Sequence, residues 1–132
     1  MSEERRERRR YQRVYFSKQD ELVAMLQSSD RQETRLSARV KDLGAGGVGF
    51  TIQRDQESGI LPGAQFTIQA IQGSDQLAFI TDLKVEVRWV LSLEWLENVG
   101  FGCEFVDTPP AVGEAIKKYV ETWAEASSPT NA

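Results

Sequence analysis

The chain has no histidine and only one cysteine in 132 residues. Without histidine, imidazole acid–base catalysis, Ser–His and Cys–His nucleophile pairs and the commonest zinc ligand are all excluded. Cys103 alone cannot close an internal disulfide, which fits a reducing compartment and leads us to expect a cytoplasmic address. No apolar run reaches the roughly 18–20 residues needed to cross a bilayer, so no membrane insertion is expected. The N-terminus is basic, yet no apolar stretch follows it, so it does not read as a secretory signal. No constellation of carboxylates and lysines suggests a reaction, and the chain reads as a non-enzyme without cofactor or metal.

What is present is an asymmetry of charge. The net charge is −4. Residues 1–13 nevertheless hold six arginines against Glu3, Glu4 and Glu7, a net of +3, which leaves −7 on the remainder. A binder of long nucleic acid usually spreads positive charge over its folded body. Here the positive charge sits on one arm, which suits a small anionic ligand better than a nucleic acid polymer. The arm also reads as a solvated charge run.

Hydrophobic patterning predicts a mostly β fold. Leu22 to Leu26 is a short apolar run compatible with helix or strand. Leu36, Ala38 and Val40 alternate with Arg35, Ser37, Arg39 and Lys41, the period of a half-buried strand. Val48, Phe50 and Ile52 continue the pattern after a glycine turn, and Phe66, Ile68 and Ala70 begin another strand. Leu77, Phe79, Leu83, Val85, Val87, Trp89, Leu91 and Leu93 share odd parity, with Lys84, Glu86 and Arg88 on the other face. That parity places Trp89 and Leu91 in the inward row. Val99, Phe101, Cys103 and Phe105 form a last inward row, with Gly100, Gly102 and Glu104 outward. Thr108 reads as an N-cap with Pro109 opening a helix. Val112, Ala115, Ile116, Tyr119, Val120 and Trp123 share one face of it.

The expected fold is all-β with a C-terminal helix: a six-stranded antiparallel β-barrel with the helix docked on it. Residues 1–8 are expected to be a flexible arm. Residues 9–125 form the barrel domain, its helix at about 109–125, and residues 126–132 a disordered tail. Side chains fill so small a barrel, so any ligand must bind outside it or at a mouth.

Two short segments carry the chemistry. One is Glu7-Arg8-Arg9-Arg10-Tyr11-Gln12-Arg13-Val14, the other Asp42-Leu43-Gly44-Ala45-Gly46-Gly47-Val48. Arg9-x-x-x-Arg13 followed one hairpin later by Asp42-x-Gly44-x-x-Gly47 resembles the PilZ domain family, bacterial receptors for cyclic di-GMP with the pattern RxxxR and [D/N]xSxxG. Val99-Gly100-Phe101-Gly102-Cys103-Glu104-Phe105 is similar to that family's last barrel strand. The likeness spans roughly residues 7–121. It implies cyclic di-GMP as ligand, with Arg9 and Arg13 as guanidinium clamps and Asp42 accepting from guanine. Gly44, Ala45, Gly46 and Gly47 would let the backbone approach and offer N–H groups.

The resemblance further implies that arginine at Arg8 accompanies a stacked ligand dimer, whose extra phosphates Arg8 and Arg10 would neutralise. Some members place an aromatic where Trp89 stands to contact guanine, whereas its parity makes it a core or mouth plug. Gly44 departs from the family's serine, a lost hydrogen bond worth about 0.5–1.5 kcal/mol. The alternative is a degenerate PilZ-type interaction module that binds no nucleotide. In either case a downstream effector protein would read the surface.

Overall fold

The computed structural model describes residues 12–29, 35–54, 60–92 and 97–126. Arg8, Arg9 and Arg10, the mobility expected of residues 1–8, the Ser58-Gly59 turn, Leu93, Trp95 and the tail beyond Ala126 lie outside the described residues.

Seven strands and one α-helix make up the described fold. The strands are β1 (Arg13–Tyr15), β2 (Val23–Ser28), β3 (Arg35–Gly44), β4 (Gly47–Gln53), β5 (Gln65–Gln72), β6 (Leu83–Leu91) and β7 (Asn98–Phe105), followed by α1 (Pro110–Ala126). All pairings are antiparallel. The order β3-β2-β5-β6-β7-β4 closes on itself through a β3–β4 pairing, so these strands form the expected six-stranded barrel. The apolar run at Leu22 resolves as strand β2.

The extra strand is β1, and β3 explains where it goes. β2 pairs with β3 only as far as Arg39, opposite Val23. The rest of that edge would be left with unpaired N–H and C=O groups. β1 covers it, with Arg13, Val14 and Tyr15 opposite Gly44, Leu43 and Asp42. Val14 is buried in the core, which holds the short strand down. The chain leaves β1 through a tight turn in which the Ser17 N–H donates to Asp20 Oδ2 at 2.6 Å.

The core is an unbroken apolar interior. Phe50 and Phe101 lie opposite each other on β4 and β7, with ring centroids 5.3 Å apart. No charged or polar residue is buried among those described. The helix opens at Pro110, one residue later than expected, with the Gly113 N–H donating to Pro109 O at 3.0 Å. Ile116 and Val120 of α1 are buried, and Val112, Tyr119 and Trp123 pack around them. Trp123 meets Phe16 edge-on, with centroids 5.8 Å apart, so the helix rests beside β1. No described helix is long and apolar enough to cross a membrane.

The pattern expected over Leu77–Leu93 needs correction at both ends. Residues Asp75–Leu77 form a 3₁₀ turn, and β6 begins only at Leu83. Leu77 and Ile80 are both buried, so period-two parity does not hold before Leu83. Farther along, β6 carries a β-bulge: Val87 pairs with Cys103 but Trp89 with Gly102, leaving Arg88 as the extra residue. The inward row therefore changes parity. Trp89 and Leu91 are half exposed, and Val90 packs on the core instead. Similar shifts leave Lys41 extra in β3 and Gln69 extra in β5. After Gln69, Ile71 rather than Ala70 is buried.

Phe101 is fully buried and paired with Phe50 at the barrel centre. Phe101→Ala should cost about 3–5 kcal/mol, read as a lower urea midpoint. An unchanged midpoint would contradict this packing.

Candidate functional site

The outer face of the barrel carries one continuous row of register partners. Tyr15 of β1 lies opposite Asp42 of β3, Asp42 opposite Gly49 of β4, Gly49 opposite Gly102 of β7, and Gly102 opposite Trp89 of β6. The middle of this row is two glycines, so the surface there has no side chains standing on it. The result is an open cleft of about 650 Å³ with a backbone floor. From Asp42 to Trp89 is three strand spacings, about 14 Å along the sheet.

Both walls exist because of bulges. Along β3 the buried positions run Leu36, Ala38, Val40, and strict alternation would send Asp42 inward with them. Lys41 is the extra residue, so Asp42 turns outward and Leu43 takes the core position. Arg88 does the same for Trp89 on β6. Bulges commonly re-aim side chains beside functional sites.

The walls lean over the floor. A Cβ on Gly49 would lie 2.6 Å from Asp42 Oδ2, so the carboxylate occupies the space a side chain would need. A Cβ on Gly102 would overlap the Trp89 indole ring itself. Glycine is needed at these two positions for close approach, which is a common meaning of glycine inside a strand.

Arg13 reaches across from β1 to the same wall. Its Nε donates to Asp42 Oδ1 at 3.0 Å and its Nη2 to the same oxygen at 2.5 Å. Nη2 also lies 3.4 Å from the Gly47 carbonyl oxygen. The Arg13 side chain is 34% exposed and that of Asp42 18%. Ion pairs this accessible contribute about 0–1 kcal/mol, so the guanidinium can exchange its partner at little cost.

The glycine turn Gly44–Gly47 adjoins this pair. Left-handed glycines among the described residues are Gly63 and Gly73, so this turn does not use glycine for positive φ. It uses glycine for room. Gly47 lies against the Cys103 carbonyl, and the Phe105 N–H donates to Gly46 O at 3.0 Å, sewing the turn to β7. Gly44 lies beneath Arg13: a Cβ there would stand 2.9 Å from Nη1. A side chain at this position would compete with Arg13 for the same space.

Of the residues expected to form the site, Arg13, Asp42, Gly46, Gly47 and Trp89 line the cleft. Gly44 sits under Arg13, and Ala45 is an exposed turn residue that is not part of the lining. Tyr15, Gly49, Arg88, Gly102 and Glu104 also line it and were not expected. The one sequence signal for Gly49 and Gly102 was glycine on the outward side of a strand. Nothing marked Arg88 or Tyr15.

Cys103 also borders the cleft but belongs to the core side of β7, only 6% exposed. Burial pushes its thiol up to about 12. The thiol therefore stays protonated at neutral pH.

Comparison with known proteins places this architecture. The sequence pattern of the PilZ domain matches residues 7–122, and the chain belongs to the PilZ domain family. A sequence search of curated proteins finds no significant match. Solved structures resemble it in fold. The PilZ domain of YcgR from Escherichia coli, determined with c-di-GMP, has a TM-score of 0.67 at 15% identity, covering 91% of this chain and 94% of that one. K. pneumonia MrkH in complex with c-di-GMP has a TM-score of 0.68 at 12% identity over 89% of this chain and 53% of MrkH. The Bacillus subtilis inhibitor of motility MotI/DgrA has a TM-score of 0.62 at 15% identity over 91% of this chain and 52% of that chain. The chain thus spans about half the length of MrkH and MotI.

Two measurements probe this geometry. Gly102→Ala should displace the Trp89 indole, increasing acrylamide quenching and red-shifting the tryptophan emission. Unaltered emission and quenching would contradict the overlay of Trp89 on Gly102. Cys103 should react with a thiol reagent at pH 8 far more slowly in the native protein than in urea, and equal rates would refute its burial.

Proposed function

We propose that this chain is a cyclic di-GMP receptor domain without catalytic activity, working in the bacterial cytoplasm. The observation that carries the reading is the meeting of Arg13 and Asp42, distant in sequence, at one wall of a glycine-floored cleft whose other wall is Trp89. Two proteins of similar fold, MrkH and the PilZ domain of YcgR, have been determined with this ligand.

The chemistry fits guanine. Guanine presents O6 and N7 acceptors on one edge, which match the guanidinium fork. Its N1 and N2 donors face a carboxylate on the other. Both Arg13 donors converge on Asp42 Oδ1, which leaves Oδ2, lying over Gly49, to accept from the base. The Trp89 ring offers a stacking face to a purine. The absence of side chains on Gly49 and Gly102 lets a flat ligand lie against the sheet.

Binding on this reading also orders the arginine arm. Arg9 would join Arg13 at the phosphates, and Arg8 and Arg10 would serve a stacked ligand dimer. Ordering the arm costs about 1–2 kcal/mol per residue, so affinity is the surplus of charge-assisted contacts over that cost. The arm folded over the ligand creates a surface for an effector protein. The competing reading, a PilZ-type interaction module that binds no nucleotide, rests on Gly44 in place of serine.

Isothermal titration of cyclic di-GMP into the wild type, Arg13→Ala and Asp42→Ala separates the two. Each substitution removes a charged hydrogen bond, about 1.5–3 kcal/mol, and should weaken binding roughly 10- to 100-fold. A ratio near two ligands per chain would identify the stacked dimer. No heat and no thermal stabilisation in excess ligand would favour the nucleotide-free module.

A further inference from the structure

The cleft has a second arginine–carboxylate pair, on the wall opposite the first. Arg88 Nε donates to Glu104 Oε1 at 2.7 Å, and Nη2 donates to the same oxygen. Arg13 engages Asp42 in the same way, with Nε and Nη2 on one oxygen. Arg88 and Glu104 both line the cleft, and Arg88 immediately precedes Trp89. Among the described residues, the other charge facing this guanidinium is Glu86, whose Oε2 is 3.6 Å from Nη1.

Arg88 stands out by its position in the ladder. It is the extra residue of the β6 bulge, so it and Trp89 turn outward in succession. A regular strand would put one of them inside. The inserted residue interrupts the ladder, and its effect is to give this wall a cation beside an aromatic ring. The guanidinium has five N–H donors and commits two to Glu104. The pair is open to water, with side chains 57% and 51% exposed, so it is easily exchanged for a ligand.

Resting on the reading of this cleft as a cyclic di-GMP site, we propose that Arg88 is a further ligand-binding arginine, on the Trp89 wall, parked on Glu104 in the free protein and transferred to an acceptor of the ligand half that covers Trp89. That acceptor is a phosphate oxygen or a guanine O6/N7 edge, both of which the guanidinium fork matches. Glu104 then has two effects. It holds Arg88 at the cleft wall, and its own charge opposes an anionic ligand. Removing the charge while keeping the shape frees Arg88 and favours binding.

The test is titration of cyclic di-GMP into the full chain with Arg88→Ala, Glu104→Gln and the double variant, each with a thermal melt and at several salt concentrations. Arg88→Ala should weaken binding about tenfold or more. Glu104→Gln should tighten it several-fold, and the same substitution in the Arg88→Ala background should tighten it by less, because only the direct repulsion of the ligand is then relieved. Melting temperatures should change little, because the pair is exposed. A shallower salt dependence in Arg88→Ala assigns the contact to phosphate, and an unchanged slope with weaker binding assigns it to the base. If Arg13→Ala abolishes binding while Arg88→Ala leaves it within twofold, the proposal fails and the receptor reading stands. Equal weakening by Glu104→Gln and Arg88→Ala overturns the parked arrangement. A wild type that does not bind overturns both.

Discussion

Two residues inserted into the strand ladder decide what this domain can do. Side chains fill the interior of a six-stranded barrel, so nothing can bind there. Chemistry has to be carried on the outside, and regular alternation gives each strand a fixed outside. Lys41 in β3 and Arg88 in β6 break that alternation once each. Without the first, Asp42 would point into an apolar core, where an unpaired carboxylate is very costly. Without the second, Trp89 would join Val85 and Val87 inside. The cleft is the space between these two re-aimed residues.

The rest of the site follows from that spacing. With Asp42 and Trp89 separated by the two intervening strands β4 and β7, the positions between them must be flat, and Gly49 and Gly102 make them so. β1 completes the wall because β3 outruns β2 and leaves an edge to be covered. That pairing brings Arg13 to Asp42, and the burial of Val14 and the contact of Phe16 with Trp123 tie β1 to the core and to the helix. Cleft-lining and core residues thus alternate along one three-residue strand. Through Phe16 and Trp123, the segment that carries Arg13 packs against α1.

Among the described residues the charges of the cleft are balanced rather than basic. Arg13 stands with Asp42, and Arg88 with Glu104 and Glu86. Each guanidinium is kept in place by a carboxylate that can itself read a donor edge or yield to a phosphate. Such pairs lose little when a ligand replaces one partner, since both groups were partly hydrated beforehand.

Much of this was readable from residue order. Period-two alternation identified the strands around Leu36, Phe50, Phe66 and Phe101, and the spacing of Ile116 and Val120 identified the helix, because those patterns are local consequences of backbone geometry. Arg13, Asp42 and the glycine turn were legible as a motif. The side of the sheet on which Trp89 stands was not. Parity counts residues along one strand, whereas a bulge is defined by the pairing of two, and the shift at Arg88 exists only relative to Gly102 and Cys103 on β7. For the same reason the joining of Gly49 and Gly102 into one floor and the Arg88–Glu104 pair were not legible, as each unites residues of two strands that meet only once those strands are in register. Local order along the chain thus settles which residues can form strands and helix and which carry charge. Long-range pairing settles which face each of them occupies, and therefore which become a site.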